Sequence, residues 1–202
     1  MADCDLVLIN PRVLPMEKYP PISLLSLAAY AREKGYNVAV TDANAEMLTD
    51  EDVSARVGFY QPILCGITFM TPQVKIVRGL VARLKEDHPK VKLVAGGIHV
   101  SILPQEARAL GFDFCVVGEG EETLVQLLSA IKAGSSTDNI EGVWTDSSQF
   151  KPRRLIEDLD SLPLPAWDLM PIDDYAVTQP DSRYTLESGV CLTISTSRGC
   201  LY

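Results

Sequence analysis

The sequence predicts an α/β domain built on a doubly wound, five-stranded parallel sheet with helices on both faces. Three observations lead there. Short apolar runs, DLVLI, NVAVTDAN, ILCGITFMT, VKLVAGG and DFCVVGEG, recur between residues 5 and 120 and end in polar or glycine-rich turns. Segments with apolar residues at helical spacing separate them. The runs are close to continuously apolar instead of alternating, the pattern of strands buried on both faces, and strand-helix alternation over residues 3–134 requires crossovers and hence parallel pairing.

Each element follows from its residues. DLVLI is a first strand stopped by Asn10-Pro11. Pro20-Pro21 opens a helix whose Leu24, Leu25, Leu27, Ala28 and Ala31 make a broad apolar face, with Gly35 at its C-terminal cap. NVAVTDAN is the second strand, Glu46 to Val57 a weaker helix, and ILCGITFMT, residues 63–71, the third strand. Pro72 starts a helix with Val74, Val77, Leu80, Val81 and Leu84 on one face, ending near His88-Pro89. VKLVAGG is the fourth strand, PQEARAL a short helix and DFCVVGEG the fifth strand with its exit loop. EETLVQLLSAIKAG closes the set, acidic in its first turn and capped by Gly134. Beyond residue 136 the texture changes: GVWTDSSQFKPRR reads as a small hairpin, DLDSLPLPAWDLMPIDDY as an ordered linker, and residues 186–202 as the first strand of something else, giving divisions at 1–136, 137–185 and 186–202. Trp144 and Trp167 read as packing anchors of the hairpin and linker.

Composition narrows the partners. The formal net charge of −9 disfavours nucleic acid or an anionic membrane, either of which needs a concentrated basic surface. No apolar run approaches the roughly 20 residues that span a bilayer, and the start MADCDLVLIN lacks the features of a secretory signal, so the expected compartment is the cytoplasm. Cys4, Cys65 and Cys115 sit in or beside strand runs and read as buried reduced thiols.

The loops after the strands decide the ligand, because open α/β sheets bind at the carboxyl ends of their strands. Asn10-Pro11-Arg12 and Thr68-Phe69-Met70-Thr71 stand where a phosphoryl-accepting receiver would need carboxylates. NPRVLPM is not the hydroxyl-rich phosphate loop of a flavodoxin, and GEGEET lacks the third glycine of a dinucleotide fingerprint while carrying three carboxylates. What remains is GITFMTP, AGGIHVS and VGEGEET. Gly96-Gly97 either admits a bulky ligand to the backbone or makes a tight turn. Thr68 and Thr71 either bond a ligand or cap the next helix. Glu119, Glu121 and Glu122 suit a hard cation, but stabilising the first turn of the following helix is the simpler account. His88, at the tail of a helix, is expected in solvent.

CGITFMTPQVKIVRGLVARL followed by KLVAGGIHVS resembles the cobalamin-binding domain. PPISLLSLAAYAREKGYNV, AGGIHVSILPQEA, DFCVVGEGEETLVQLL and LDSLPLPAWDLMP, in that order, are similar to the amino-terminal part of cobalamin-dependent radical S-adenosylmethionine (SAM) enzymes, a group that includes methyltransferases and the anaerobic magnesium-protoporphyrin monomethyl ester cyclase. The resemblance implies a flavodoxin-like, Rossmann-like sheet that binds cobalamin through Asn10, Pro11, Thr68, Phe69, Met70, Thr71, Gly96, Gly97, His99, Val100, Gly118, Glu119 and Gly120. It also implies that Thr196-Ser197-Arg198-Gly199-Cys200 introduces a CxxxCxxC motif, with Cys200 the first of three thiolates of a [4Fe-4S] cluster that binds SAM. The other two thiolates are not in this sequence, so the expected chain is a cofactor-holding part. Its expected partner is a radical SAM domain of the same protein, which would act on a small-molecule substrate, with no nucleic acid or membrane involved.

One departure bears on the cobalt. The DxHxxG motif that supplies a lower histidine ligand in other cobalamin domains is absent; the loop NPRVLPMEKYPP holds no histidine. Base-off cobalamin without a histidine from that loop is therefore expected, with residues such as Leu14 or Met70 beneath the cobalt. For His99 three roles stay open: a hydrogen bond to a cobalamin amide or phosphate, a local turn contact, or cobalt ligation. The competing reading is a cobalamin-free binding or sensing module on the same sheet, serving a radical SAM protein as an interaction domain.

Overall fold

A computed structural model describes residues 4–12, 19–145, 150–175 and 193–199. Its sheet contains β1 (Leu6–Asn10), β2 (Val38–Asp42), β3 (Leu64–Thr68), β4 (Lys92–Gly96), β5 (Phe114–Val116) and β6 (Val143–Trp144), in the order β2-β1-β3-β4-β5-β6. The first five strands run parallel, as their apolar composition requires, and β6 joins antiparallel beside β5. The segment read as a hairpin thus lends one strand to the sheet and covers the outer edge of β5.

The helices divide between the faces. α1 (Ile22–Glu33) and α6 (Glu121–Ala133) pack on the face made by Leu6, Leu8, Leu64, Val94 and Val116. α2 (Asp50–Tyr60), α3 (Val74–Asp87), α4 (Ile98–Ile102) and α5 (Pro104–Ala109) cover the face of Val7, Ile9, Cys65, Ile67, Leu93 and Ala95. Consecutive strand residues alternate between these two cores, as the pleat requires. The connections leaving β1 and β3 go to opposite faces, so the switch in strand order lies between those two neighbours.

Three details differ from the expectations. α2 starts at Asp50, not near Glu46, because Thr49 and Asp52 form a reciprocal capping box there. α4, one turn after Gly97, was not anticipated; five residues are too few for a periodic signal. His88 is half-buried, its Nε2 lying 2.8 Å from the Ser54 carbonyl oxygen and 3.0 Å from Ser54 Oγ, because α3 packs its last turn against α2. Cys65 and Cys115 are buried and Cys4 is half-buried; burial pushes the Cys65 thiol up to about 12.

The linker lies against α1 and β2. Ala166 N–H donates to Leu25 O at 3.1 Å, Arg32 forms a bidentate pair with Asp168, and Tyr175 is buried with its hydroxyl donating to Asp42 Oδ2 at 2.7 Å. Trp144 packs against the α2/α3-side core and Trp167 against the cluster of Leu25, Met170 and Tyr175. No helix among the described residues is long and apolar enough to cross a membrane.

Candidate site between the sheet and two helices

A cavity of about 300 Å³ opens at the carboxyl ends of β3, β4 and β5, on the face covered by α1 and α6. Its origin is a set of missing side chains. Along this face the residues in register are Leu8, Gly66 and Val94, and one row further on Thr68 and Gly96. At Gly66 the neighbours already close over the glycine: a Cβ there would lie 2.8 Å from Leu8 Cδ2. At Gly96 they do not; a Cβ would meet nothing within 4 Å and would project into the cavity. Leu27 of α1, Leu124 of α6 and Val116 complete apolar walls, while Ser23, Ser26 and Thr68 add hydroxyls.

The two adjacent glycines do separate work. Gly97 has φ +98°, and a Cβ on it would fall 2.7 Å from Thr68 Oγ1 and 2.9 Å from Phe69 O, so it lets the start of α4 press against the end of β3. Gly96 alone supplies open space. Gly118, at φ +84°, turns the chain out of β5, and its N–H donates to Ser101 Oγ at 3.1 Å.

The outer wall comes from far along the chain. Ser195 and Arg198 line the cavity, and Arg198 pairs with Glu121 at the start of α6, Nη2 to Oε1 at 2.6 Å, and with Glu119 of the β5–α6 loop, Nη1 to Oε1 at 3.4 Å. The hydrogen bond to Glu121 is the main reason the guanidinium pKa lies above its ordinary value. Glu119 also accepts Ile156 N–H at 2.6 Å, and Glu122 pairs with Arg153 at 2.6 Å. The three glutamates are therefore met by cations and an amide, with Glu121 and Glu122 in the first turn of α6 as their position suggests. No group of His, Cys, Asp or Glu among the described residues could hold a metal ion.

Of the residues expected at the site, Thr68, Gly96, Gly97, Gly118, Glu119 and Gly120 line this cavity. The others lie outside it. Asn10 donates from Nδ2 to Asp42 Oδ1 at 2.9 Å, and Pro11 is buried beside it. Phe69 is buried in the opposite core, stacked on Phe112 and tilted against the His99 ring. Thr71 Oγ1 lies 3.1 Å from His99 Nδ1, and Val100 is fully buried under α4. The His99 ring is 1% exposed, lies against Phe69 and Thr71 and is not among the residues lining the cavity. Met70 is 47% exposed and is not among the residues lining the cavity. Cys200 and Leu14 fall outside the described residues.

Sequence reading missed Gly66, Ser23, Ser26, Leu27, Glu121, Ser195 and Arg198 as wall residues. The first of these had a signal: a glycine in the middle of the apolar run LCGIT removes a side chain where a buried strand wants one. Ser23, Ser26 and Leu27 share one face of α1 by their spacing, which says nothing about what that face covers.

Known proteins share this architecture. A profile described as the B12 binding domain matches residues 16–128, more than half of the chain. The chain is 31% identical over 187 residues to the uncharacterized methyltransferase PH0819 of Pyrococcus horikoshii, covering 90% of this chain and 39% of that protein. It is 30% identical over 198 residues to the anaerobic magnesium-protoporphyrin IX monomethyl ester cyclase of Synechocystis, covering 93% of this chain and 37% of that one. The cobalamin-dependent SAM radical enzyme OxsB, solved with aqua-cobalamin and SAM, superposes with a TM-score of 0.73 at 19% identity over 83% of this chain and 24% of its own, a likeness of fold. The radical SAM methyltransferase TsrM of Kitasatospora setae, solved with cobalamin and a [4Fe-4S] cluster, gives 0.60 at 26% identity over 71% of this chain and 29% of its own. With the profile covering β2 to β5, α1 and the first part of α6, the chain belongs to the B12-binding domain family and is similar to cobalamin-dependent radical SAM enzymes.

Proposed function

We propose that the chain binds cobalamin base-off, with the cofactor's nucleotide tail held in the cavity between the sheet and the α1–α6 pair. The observation that carries this reading is the open space at Gly96, where any other residue would put a side chain into the cavity. The residues fit such a group. Leu8, Leu27, Val116 and Leu124 offer apolar surface to an aromatic base, and Ser23, Thr68 and Ser195 offer hydroxyls to a sugar and phosphate. At about 300 Å³ the cavity suits a base and sugar and is too small for a whole corrin. Exposed Met70, two residues past β3, and the Gly118–Gly120 loop are the residues that would meet the ring. When bound, cobalamin supplies a cobalt centre able to accept and pass on a methyl group or to serve a radical reaction. The chain's own part is to bind the tail, orient the ring and keep water from the base.

The placement of both histidines supports the base-off state without a histidine ligand. His99 is turned into the core on the opposite side of the sheet, and His88 precedes β4, at the end away from the cavity. In a longer protein carrying this domain, the reading assigns a [4Fe-4S] cluster and SAM to a partner radical domain that begins around residue 186, with Cys200 its first thiolate. The reaction is methyl transfer to, or cyclisation of, a small-molecule substrate in the cytoplasm. Purified protein loaded with cobalamin and reduced to cob(II)alamin tests the cobalt environment. We expect an electron paramagnetic resonance spectrum without nitrogen superhyperfine splitting; a spectrum with that splitting contradicts the proposed state.

A further inference from the structure

We infer that Arg198 is a positioning residue that fastens residues 193–199 onto the β5–α6 loop, so that this segment forms the removable outer wall of the cavity. Glu121 is 4% exposed, and its only hydrogen-bonding or ion-pair partner among the described residues is Arg198. A buried carboxylate without a counter-ion is strongly disfavoured, so the guanidinium is what makes this glutamate tolerable at the cavity wall. The same guanidinium reaches Glu119, and the two glutamates flank Gly120, whose absent side chain leaves room for Leu27 of α1.

The rest of the segment has little else to hold it. Residues 193–198 are exposed, Ile194 at 77%, and belong to no strand or helix, yet Ser195 and Arg198 line the cavity. A segment so poorly buried opens readily unless a specific contact closes it, and the pair to Glu121 is that contact. Arg198 also stands two residues before Cys200. Closing the wall and filling the cavity favour each other, because a filled cavity gives Ser195 and Arg198 something to pack on.

The test compares the intact chain with Arg198→Ala, Glu121→Gln, the double variant and Arg198→Lys. The first readout needs no cofactor: backbone 15N order parameters of residues 193–199, with those of β1 to β4 checking that the fold is intact. In each of Arg198→Ala and Glu121→Gln the order parameters across 193–199 are expected to fall to below about 0.6, in the double variant no further, and in Arg198→Lys to be partly restored. Unchanged order parameters in Arg198→Ala, or additive effects in the double variant, overturn the fastening. The second readout rests on the cobalamin reading: after loading with hydroxocobalamin and desalting, Arg198→Ala is expected to lose corrin absorbance about tenfold faster than wild type. Equal loss rates overturn the coupling to the cavity. If the wild type retains no corrin, the proposed function falls and the coupling falls with it, while the order parameters still decide the fastening.

Discussion

Gly97 shows how much rests on one hydrogen atom. Its φ of +98° is strained for any other residue, and a Cβ would overlap Thr68 Oγ1 and the backbone of Phe69. Gly97→Ala should lower unfolding free energy by about 2 kcal/mol or more, read as a shift in the urea midpoint. Gly96, one residue earlier, has neither constraint. In the sequence the pair AGG marks a place where side chains are unwelcome, but sequence alone does not say which glycine makes the turn and which makes the space. His99 was legible only as a neighbour of that pair. Its place in the first turn of α4 decides its neighbours: the ring goes to Phe69 and Thr71. Arg198 was the least legible residue of all, since its partners lie 77 and 79 positions away.

Among the elements, β1 and α6 are tied at the amino end of the sheet by Asp5 and Lys132, whose Nζ donates to Asp5 Oδ1 at 2.8 Å. Burial pushes the Asp5 carboxyl up, but the Lys132 hydrogen bond and the Asn37 N–H together outweigh it and hold its pKa below 3.8. A carboxylate with a lowered folded-state pKa stabilises above its unfolded value and loses that contribution as pH falls through the folded one. Asp5→Asn should therefore cost about 1 kcal/mol at pH 7, since Lys132 is half exposed, and the gap to wild type should close as the pH drops below 4. Chemical denaturation at pH 7 and pH 3 reads this directly; a gap that stays constant contradicts it. The five parallel strands and four longer helices were legible because each is a long enough apolar pattern bounded by Pro, Gly or a cap. α4 and β6 were not, being five and two residues long and fixed by contacts to β4 and β5 made across the fold.

At the scale of the molecule the sheet separates two duties. The face under α2 to α5 is a filled core running from Val7 to Phe112, and the face under α1 and α6 is interrupted at Gly96 by the cavity. Stability and binding can then be altered independently, because a side chain added at Gly96 enters space and displaces no packed neighbour. The central claim is that this space takes the tail of cobalamin. It is tested most directly by titrating hydroxocobalamin into wild type and Gly96→Leu while following retained corrin absorbance and the thermal midpoint. One corrin should bind per wild-type chain, and Gly96→Leu should bind at least about tenfold more weakly at an unchanged midpoint; no corrin retained by wild type, or equal binding by the variant, would contradict this placement of the tail.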